Sequence, residues 1–382
     1  MDWLLLGSVG ALCLIGCLLV WSATVHREDL TGGATEAYLV KQAVNVLIGA
    51  VLGGVIAATD HRWLRLWAPL VYLGSLAGLL AIFSPLGAVI NGSHSWLLIG
   101  GMSVQPAELA KLGVIVGMAL VLAERLEAGR RTRPSDADMV PVLAIAALPA
   151  VLVLAQPDLG TLMVLVATVF GVVALSGAPR RWLLGLVVAA VGVVALAIAT
   201  GVLESYQLDR FRAFTDPSLD PQGAGYNTIQ ARIAIGNGGL LGQGLFEGSQ
   251  TQSGFVPEQH TDFVFTVAGE EFGLLGAGVV IALFAMLLWR ALLIARRAPD
   301  VFGRLAAVGV ICWFGFQAFQ NIGMCLGIMP ITGVPLPLVS YGGTSMFASL
   351  MAVGLLLNVH LRAERSLGFG VVVRSRRTRS RW

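Results

Sequence analysis

Phe255-Val256-Pro257-Glu258-Gln259-His260-Thr261-Asp262-Phe263-Val264-Phe265 marks the point at which the chain changes character. Upstream lies a polar insertion, Glu204 to Thr261. Downstream an apolar run continues through the acidic pair Glu270-Glu271 to about residue 289. A carboxylate at the edge of such a run sits where bilayer meets water, and partial dehydration pushes its pKa upward, as a general base requires. Asp262 is therefore the candidate catalytic group. Glu258 lies four residues earlier; if Pro257 opens a helix, the two side chains share one face. A solvated acidic loop is the alternative reading of the pair.

The rest of the chain supports a membrane setting. Of 382 residues, 56% are hydrophobic and only 12% charged, and the mean hydropathy is +0.80. That excess of apolar side chains defines a polytopic helical membrane protein, all-α in class. A crossing helix needs about 20 mostly apolar residues. Ten such spans are expected, at roughly 3–25, 38–59, 66–83, 104–123, 139–156, 158–176, 183–203, 264–289, 305–326 and 343–360. The apolar runs are continuous rather than alternating, unlike those of an outer-membrane barrel. The first run lacks the basic start of a cleaved signal peptide and continues for a full span.

Cytoplasmic connections are enriched in Lys and Arg. With the N-terminus inside, the inner connections and the tail after Arg362 hold 19 of the 25 basic residues. Both termini are thus expected in the cytoplasm. The domain reading is one membrane domain, 1–361, with a large external loop at about 204–263, followed by a basic tail, 362–382, attracted to anionic lipid. A net charge of +3 without a basic, aromatic-laced soluble domain excludes a nucleic-acid partner. Cys13, Cys17, Cys312 and Cys325 sit in apolar runs without His or acidic neighbours, which makes them packing residues rather than ligands. Gly49, Gly53, Gly74 and Gly78, at four-residue spacing inside spans, allow close helix approach.

Ionisable groups inside spans are costly and point to function. In Gln105-Pro106-Ala107-Glu108-Leu109-Ala110-Lys111, Pro106 suits a first helical turn with Ser103 as N-cap, and Glu108 and Lys111 share a face. Two compatible roles follow: an ion pair holding the bundle, or a lysine facing a polar cavity with Glu108 orienting it. Asp158, in Gln156-Pro157-Asp158, reads first as a helix cap. In the second external loop, Asn91 to Trp96, Trp96 reads as an interfacial anchor. The insertion carries seven acids (Glu204, Asp209, Asp216, Asp220, Glu247, Glu258, Asp262) against Arg210, Arg212 and Arg232, a net of −4. A phosphorylated substrate would need that charge offset, and Mg²⁺ or Mn²⁺ bridging a carboxylate of Asp262 or Glu258 to phosphate is one way. The run Gly236 to Gly244 lacks the ending of a nucleotide loop and is expected to be flexible external backbone, with anion binding by successive amides still open.

These segments resemble those of the SEDS family, the RodA/FtsW/SpoVE membrane proteins. The matching elements are Gln105 to Lys111, Gln156-Pro157-Asp158-Leu159-Gly160-Thr161, Gly225-Tyr226-Asn227, Ile233 to Gly236, Phe255 to Phe263 and Pro335-Leu336-Pro337-Leu338-Val339-Ser340-Tyr341-Gly342-Gly343. They follow family order along nearly the whole chain. Gln252-x-Gly254-Phe255 and Gly327 to Gly333 are more similar to the elongation branch (RodA) than to the division branch. The resemblance implies a peptidoglycan glycosyltransferase at the outer face of the cytoplasmic membrane. It would use lipid II and release undecaprenyl pyrophosphate during cell elongation, with a class B penicillin-binding protein as partner. It also implies that Asp262 is the essential aspartate, Glu108 and Lys111 the functional pair of the fourth span, and Glu258 a loop glutamate. Arg210, Arg232 and Trp96 complete the expected substrate contacts. Ser95, where the family usually has a basic residue, and Asn237, where it commonly has Ser, are departures. A lipid II flippase and a non-catalytic scaffold are the alternative functions.

Overall fold

A computed structural model of the protein describes residues 1–90, 93–100, 102–200, 210, 214–216, 218, 220 and 223–379. Asn91, Glu204, Asp209 and Arg212, named above, lie outside the described residues. The chain is mostly helical. In order come α1 (Trp3–Val25), α2 (Glu28–Thr31), α3 (Ala37–Ala58), α4 (His61–Ala81), strands β1 (Gly87–Ile90), β2 (Ser93–Ile99) and β3 (Met102–Val104), then α5 (Pro106–Ala128). They are followed by α6 (Asp136–Leu154), α7 (Leu159–Leu175), α8 (Arg180–Thr200), α9 (Ala224–Asn237), α10 (Ser249–Ser253), α11 (Val264–Glu271), α12 (Gly273–Arg297), α13 (Val301–Leu326) and α14 (Gly343–Arg379). Among the described residues, eight helices are long and apolar enough to cross a bilayer. They are α1, α3, α4, α5, α6, α12, α13 and the part of α14 to Glu364; α7 has only 17 residues, and α8 occupies the expected seventh position.

Three expectations are corrected. The segment expected as a loop around Asn91 to Trp96 is part of a sheet: β1–β2–β3 form an antiparallel meander, with Ala88 opposite Trp96 and Leu98 opposite Ser103. Ser103 therefore belongs to a strand, and Gln105 is the N-cap of α5, with Pro106 in the first turn, where its missing N–H costs nothing. The eighth span starts at Gly273, not at 264. Gly273 adopts φ 63°, a left-handed conformation that breaks the helix, and a Cβ there would stand 2.4 Å from the Gly242 nitrogen. α11 is consequently a separate, wholly buried turn of protein.

α5 and α13 fill the centre, and the outer faces of α3, α4 and α8 present exposed Leu, Ile and Val, as lipid-facing helices do. Asp2 caps α1 through Leu5 N (3.1 Å) and Asp300 caps α13 through Gly303 N (3.1 Å). α3 and α14 pack closely because Gly53 and Gly354 carry no side chains: a Cβ on Gly354 would lie 2.2 Å from the Gly53 carbonyl oxygen. The start of α1 and the Glu364 turn of α14 share one lip of the bundle, where the Met1 amino group meets Glu364 Oε2 at 3.3 Å. On that lip His61 pairs with Asp300, Arg65 with Glu127 and Arg290 with Asp2. The β-sheet, the 223–263 segment and the 327–342 loop occupy the other lip.

Candidate active site

The stretch from Pro257 to Phe263 is a tight turn rather than a helix. Glu258 has φ 48°, and its carbonyl accepts amide hydrogen bonds from Thr261, Asp262 and Phe263 at 3.2, 3.0 and 3.2 Å. Val256 and Phe263 are buried beneath it and fasten the turn to the core. From α13, Asn321 Nδ2 donates to the Asp262 carbonyl at 2.7 Å and to the Val334 carbonyl at 2.7 Å. Tyr341 N donates to the His260 carbonyl at 3.0 Å, and the His260 ring packs edge-on against Tyr38 (5.1 Å between centroids). The turn is thus held on several sides, and Asp262 lines a cavity of about 700 Å³.

Gly333, at φ 68°, brings the opposite wall close: a Cβ there would stand 3.3 Å from Asp262 Oδ2. Burial pushes the Asp262 carboxyl up to about 7, with Glu258 and Asp158 acting in the same direction and Arg210 opposing. Burial also lowers the His260 imidazole, keeping it neutral. A carboxyl titrating near 7 on a cavity wall suits proton abstraction at neutral pH.

Glu258, Arg210 and Trp96 line the same cavity as Asp262. Trp96 is therefore a wall residue as well as a bilayer-edge one. Asp158 performs the expected capping, its Oδ1 accepting from Thr161 N at 2.9 Å, and it also faces the cavity, where Oδ2 accepts from Gln105 Nε2 at 3.1 Å. Three expected contacts, Arg232, Lys111 and Glu108, lie elsewhere. Arg232 is on α9 and donates to the Gly327 carbonyl at 2.9 Å, outside the cavity lining. Lys111 is 1% exposed and does not face the cavity. Its Nζ donates to Glu108 Oε1 at 2.6 Å and to Gln317 Oε1 at 2.8 Å, 5.0 Å above the Trp313 ring. Gln317 in turn donates to the Pro335 carbonyl at 2.8 Å, so the pair supports the cavity wall from behind.

Sequence reasoning overlooked Lys41. It lines the cavity from the N-terminal part of α3, with Nζ 5.1 Å from the Tyr38 ring centre. The signal was available: it is one of only two lysines in the chain, at the start of an apolar span. The glycine run also differs from expectation. Gln243 N and Gly244 N donate to the Glu270 and Glu271 carbonyls, each at 3.0 Å, and a Cβ on Gly238 would stand 1.9 Å from the Gly269 oxygen. The run is pressed onto the corner between α11 and α12, and those amides are not available to an anion.

Fold and site define a class: a polytopic membrane protein with a cavity of mixed polar and apolar lining at one lip and a dehydrated carboxyl on its wall. The model of the FtsW/RodA/SpoVE family, described as cell cycle protein, matches residues 2–365. Peptidoglycan glycosyltransferase MrdB of Escherichia coli K12 is 36% identical over 350 residues, 92% of this chain and 90% of that one. Stage V sporulation protein E of Bacillus subtilis 168 is 35% identical over 361 residues, 94% and 96% of the two chains. A chain of a solved peptidoglycan synthase complex, described as coordinating polymerization and crosslinking, superposes with a TM-score of 0.77 at 32% identity, covering 95% of this chain and 98% of that one. The rod shape determining protein RodA of Thermus thermophilus does so at 0.67 and 31%, covering 94% and 96%. The chain belongs to the FtsW/RodA/SpoVE family, also called SEDS.

Proposed function

We propose that the protein is a peptidoglycan glycosyltransferase that polymerises lipid II at the outer face of the cytoplasmic membrane during cell elongation. The observation that carries this reading is the Asp262 carboxyl, held near neutrality inside a cavity that is polar on the loop side and apolar on the bilayer side. Asp262 takes the proton from the 4-hydroxyl of the acceptor sugar. The freed oxygen attacks the anomeric carbon of the growing chain with inversion, the bond to the pyrophosphate breaks, and undecaprenyl pyrophosphate departs. A positioned base contributes roughly 10²–10⁴-fold. Electrostatic stabilisation of the leaving pyrophosphate supplies a further share, from Arg210 and Lys41 on the cavity wall.

Val40, Val44 and Ile48 line the cavity from α3 and are themselves outwardly exposed. α3 and α4 are consecutive in the chain yet scarcely touch. This arrangement supports a lateral path by which an isoprenoid tail stays in the bilayer while its headgroup reaches Asp262. A divalent cation, Mg²⁺ or Mn²⁺, would neutralise phosphate charge in the cavity. Among the described residues no three His, Cys, Asp or Glu side chains come together to hold one alone, so Asp262 or Glu258 would share it with phosphate oxygens.

The termini lie in the cytoplasm in this reading, and the tail rests against anionic lipid. A class B penicillin-binding protein supplies the transpeptidase; the solved relative described as part of a complex for polymerization and crosslinking supports that pairing. The decisive experiment uses purified protein, that partner, lipid II and Mg²⁺ or Mn²⁺. Asp262→Asn should abolish glycan chains and leave partner binding intact. Polymerisation at the parental rate by Asp262→Asn refutes the assignment. Parental protein that moves lipid II across vesicles without joining it favours a flippase, and a protein inert in both assays a scaffold.

A further inference from the structure

Behind the Asp262 turn, Glu270 on α11 is fully buried and stands outside the cavity lining. Its carboxylate is nonetheless fully used. Oε1 accepts from Gln250 N at 2.7 Å and from Ser249 Oγ at 3.3 Å, and Oε2 accepts from Thr251 N at 3.0 Å and Thr251 Oγ1 at 2.7 Å. These donors form the first turn of α10, so the carboxylate holds that short helix by its unsatisfied end. Gly248 makes room for it: a Cβ there would lie 2.8 Å from Glu270 Oε2. The Thr251 hydroxyl, having given its proton to Glu270, accepts a hydrogen bond from Gln259 Nε2 at 3.0 Å. Gln259 is 2% exposed and stands between Glu258 and Asp262 in the catalytic turn. Glu270, Thr251 and Gln259 are therefore one buried relay from the membrane-side helix to that turn.

We infer that Glu270 is a positioning residue for glycosyl transfer, acting through Thr251 and Gln259 to fix the Glu258–Asp262 turn against the cavity. The inference rests on the assignment of Asp262 as the base. A carboxylate is required because all four contacts are donors; a carboxamide would turn an NH₂ toward one of them. The directionality also runs one way: only a hydroxyl at 251 can donate to Glu270 while accepting from Gln259.

The test compares lipid II polymerisation by the full-length protein with its partner for Glu270→Gln, Thr251→Ser, Thr251→Val and the double variant Glu270→Gln/Thr251→Val. kcat should fall at least tenfold in Glu270→Gln and Thr251→Val with KM for lipid II changed less than twofold. Thr251→Ser, which keeps the hydroxyl, should stay within threefold of parental. The double variant should be no worse than the poorer single one, the mark of residues acting as one unit. The rate-against-pH midpoint should move in the impaired variants. Parental kcat in Thr251→Val, or multiplicative losses in the double variant, overturns the relay. If Glu270→Gln does not fold, the Thr251→Ser and Thr251→Val pair decides by itself. An inactive Asp262→Asn beside fully active relay variants defeats this inference alone, whereas an active Asp262→Asn defeats the base assignment beneath it.

Discussion

Asn321 binds the Asp262 turn and the loop facing it with a single nitrogen, 2.7 Å from the Asp262 carbonyl and 2.7 Å from the Val334 carbonyl. Asn321→Leu would strand both buried acceptors, each at about 1–3 kcal/mol. The expected outcome is a lowered melting temperature in detergent and a kcat for lipid II polymerisation reduced at least tenfold in the protein that remains folded. A melting curve and a single-turnover assay on the same preparation check it.

The pH dependence follows from Asp262. Its carboxyl is raised from 3.8 to about 7, so the base form accumulates as pH rises through 7, and polymerisation should rise with it. Stability runs the other way. A carboxyl whose folded pKa exceeds its unfolded one binds its proton more tightly when folded, and that contribution is fully present below about 4 and lost as pH climbs through 7. Asp262→Asn, which cannot ionise, should therefore gain in melting temperature relative to the parent between pH 5 and pH 8 while losing activity throughout.

Glu108 and Lys111 should behave as a structural pair. Removing one partner of a buried ion pair costs about 3–5 kcal/mol, because the other charge is left uncompensated. Lys111→Met should thus destabilise the protein strongly, and Glu108→Gln/Lys111→Met should recover part of the loss. Denaturation in a graded detergent series reads both.

The two arginines assigned together from sequence should separate in kinetics. Arg210→Ala, on the cavity wall, should raise KM for lipid II several-fold. Arg232→Ala, bonded to Gly327 outside the cavity, should leave KM within twofold.

Gly238→Ala would drive a methyl group into the Gly269 carbonyl, whereas Gly236 has nothing within 4 Å of the same position. Gly238→Ala should therefore lower the melting temperature and the rate. Gly236→Ala, inside α9, should be neutral or stabilising by about 0.5–1 kcal/mol.

These contrasts show what a linear reading reaches. Helix positions were legible because each span needs its own apolar run, and Asp262, Glu258 and Trp96 were legible because they stand at the ends of such runs. Lys41 escaped although it carries the same mark. The side on which Arg232 emerges depends on how α9 lies against α11 and α13, which no local pattern encodes. The glycine run misled for a related reason: its small residues answer to the α11–α12 corner, a neighbour some thirty positions away in the chain. The break at Gly273 was hidden because apolar composition continues straight across it.

The backbone contact between Gly53 and Gly354 has a consequence for inhibitors. Lys41 and Asn45 on α3, and Thr344 and Ser345 on α14, stand on helices that meet backbone to backbone at Gly53 and Gly354. A compound shaped to that wall meets a fixed relief. Drug resistance by prying the wall open would demand paired substitutions, since a bulkier residue at 53 or 354 collides with the opposite strut before it can reshape anything.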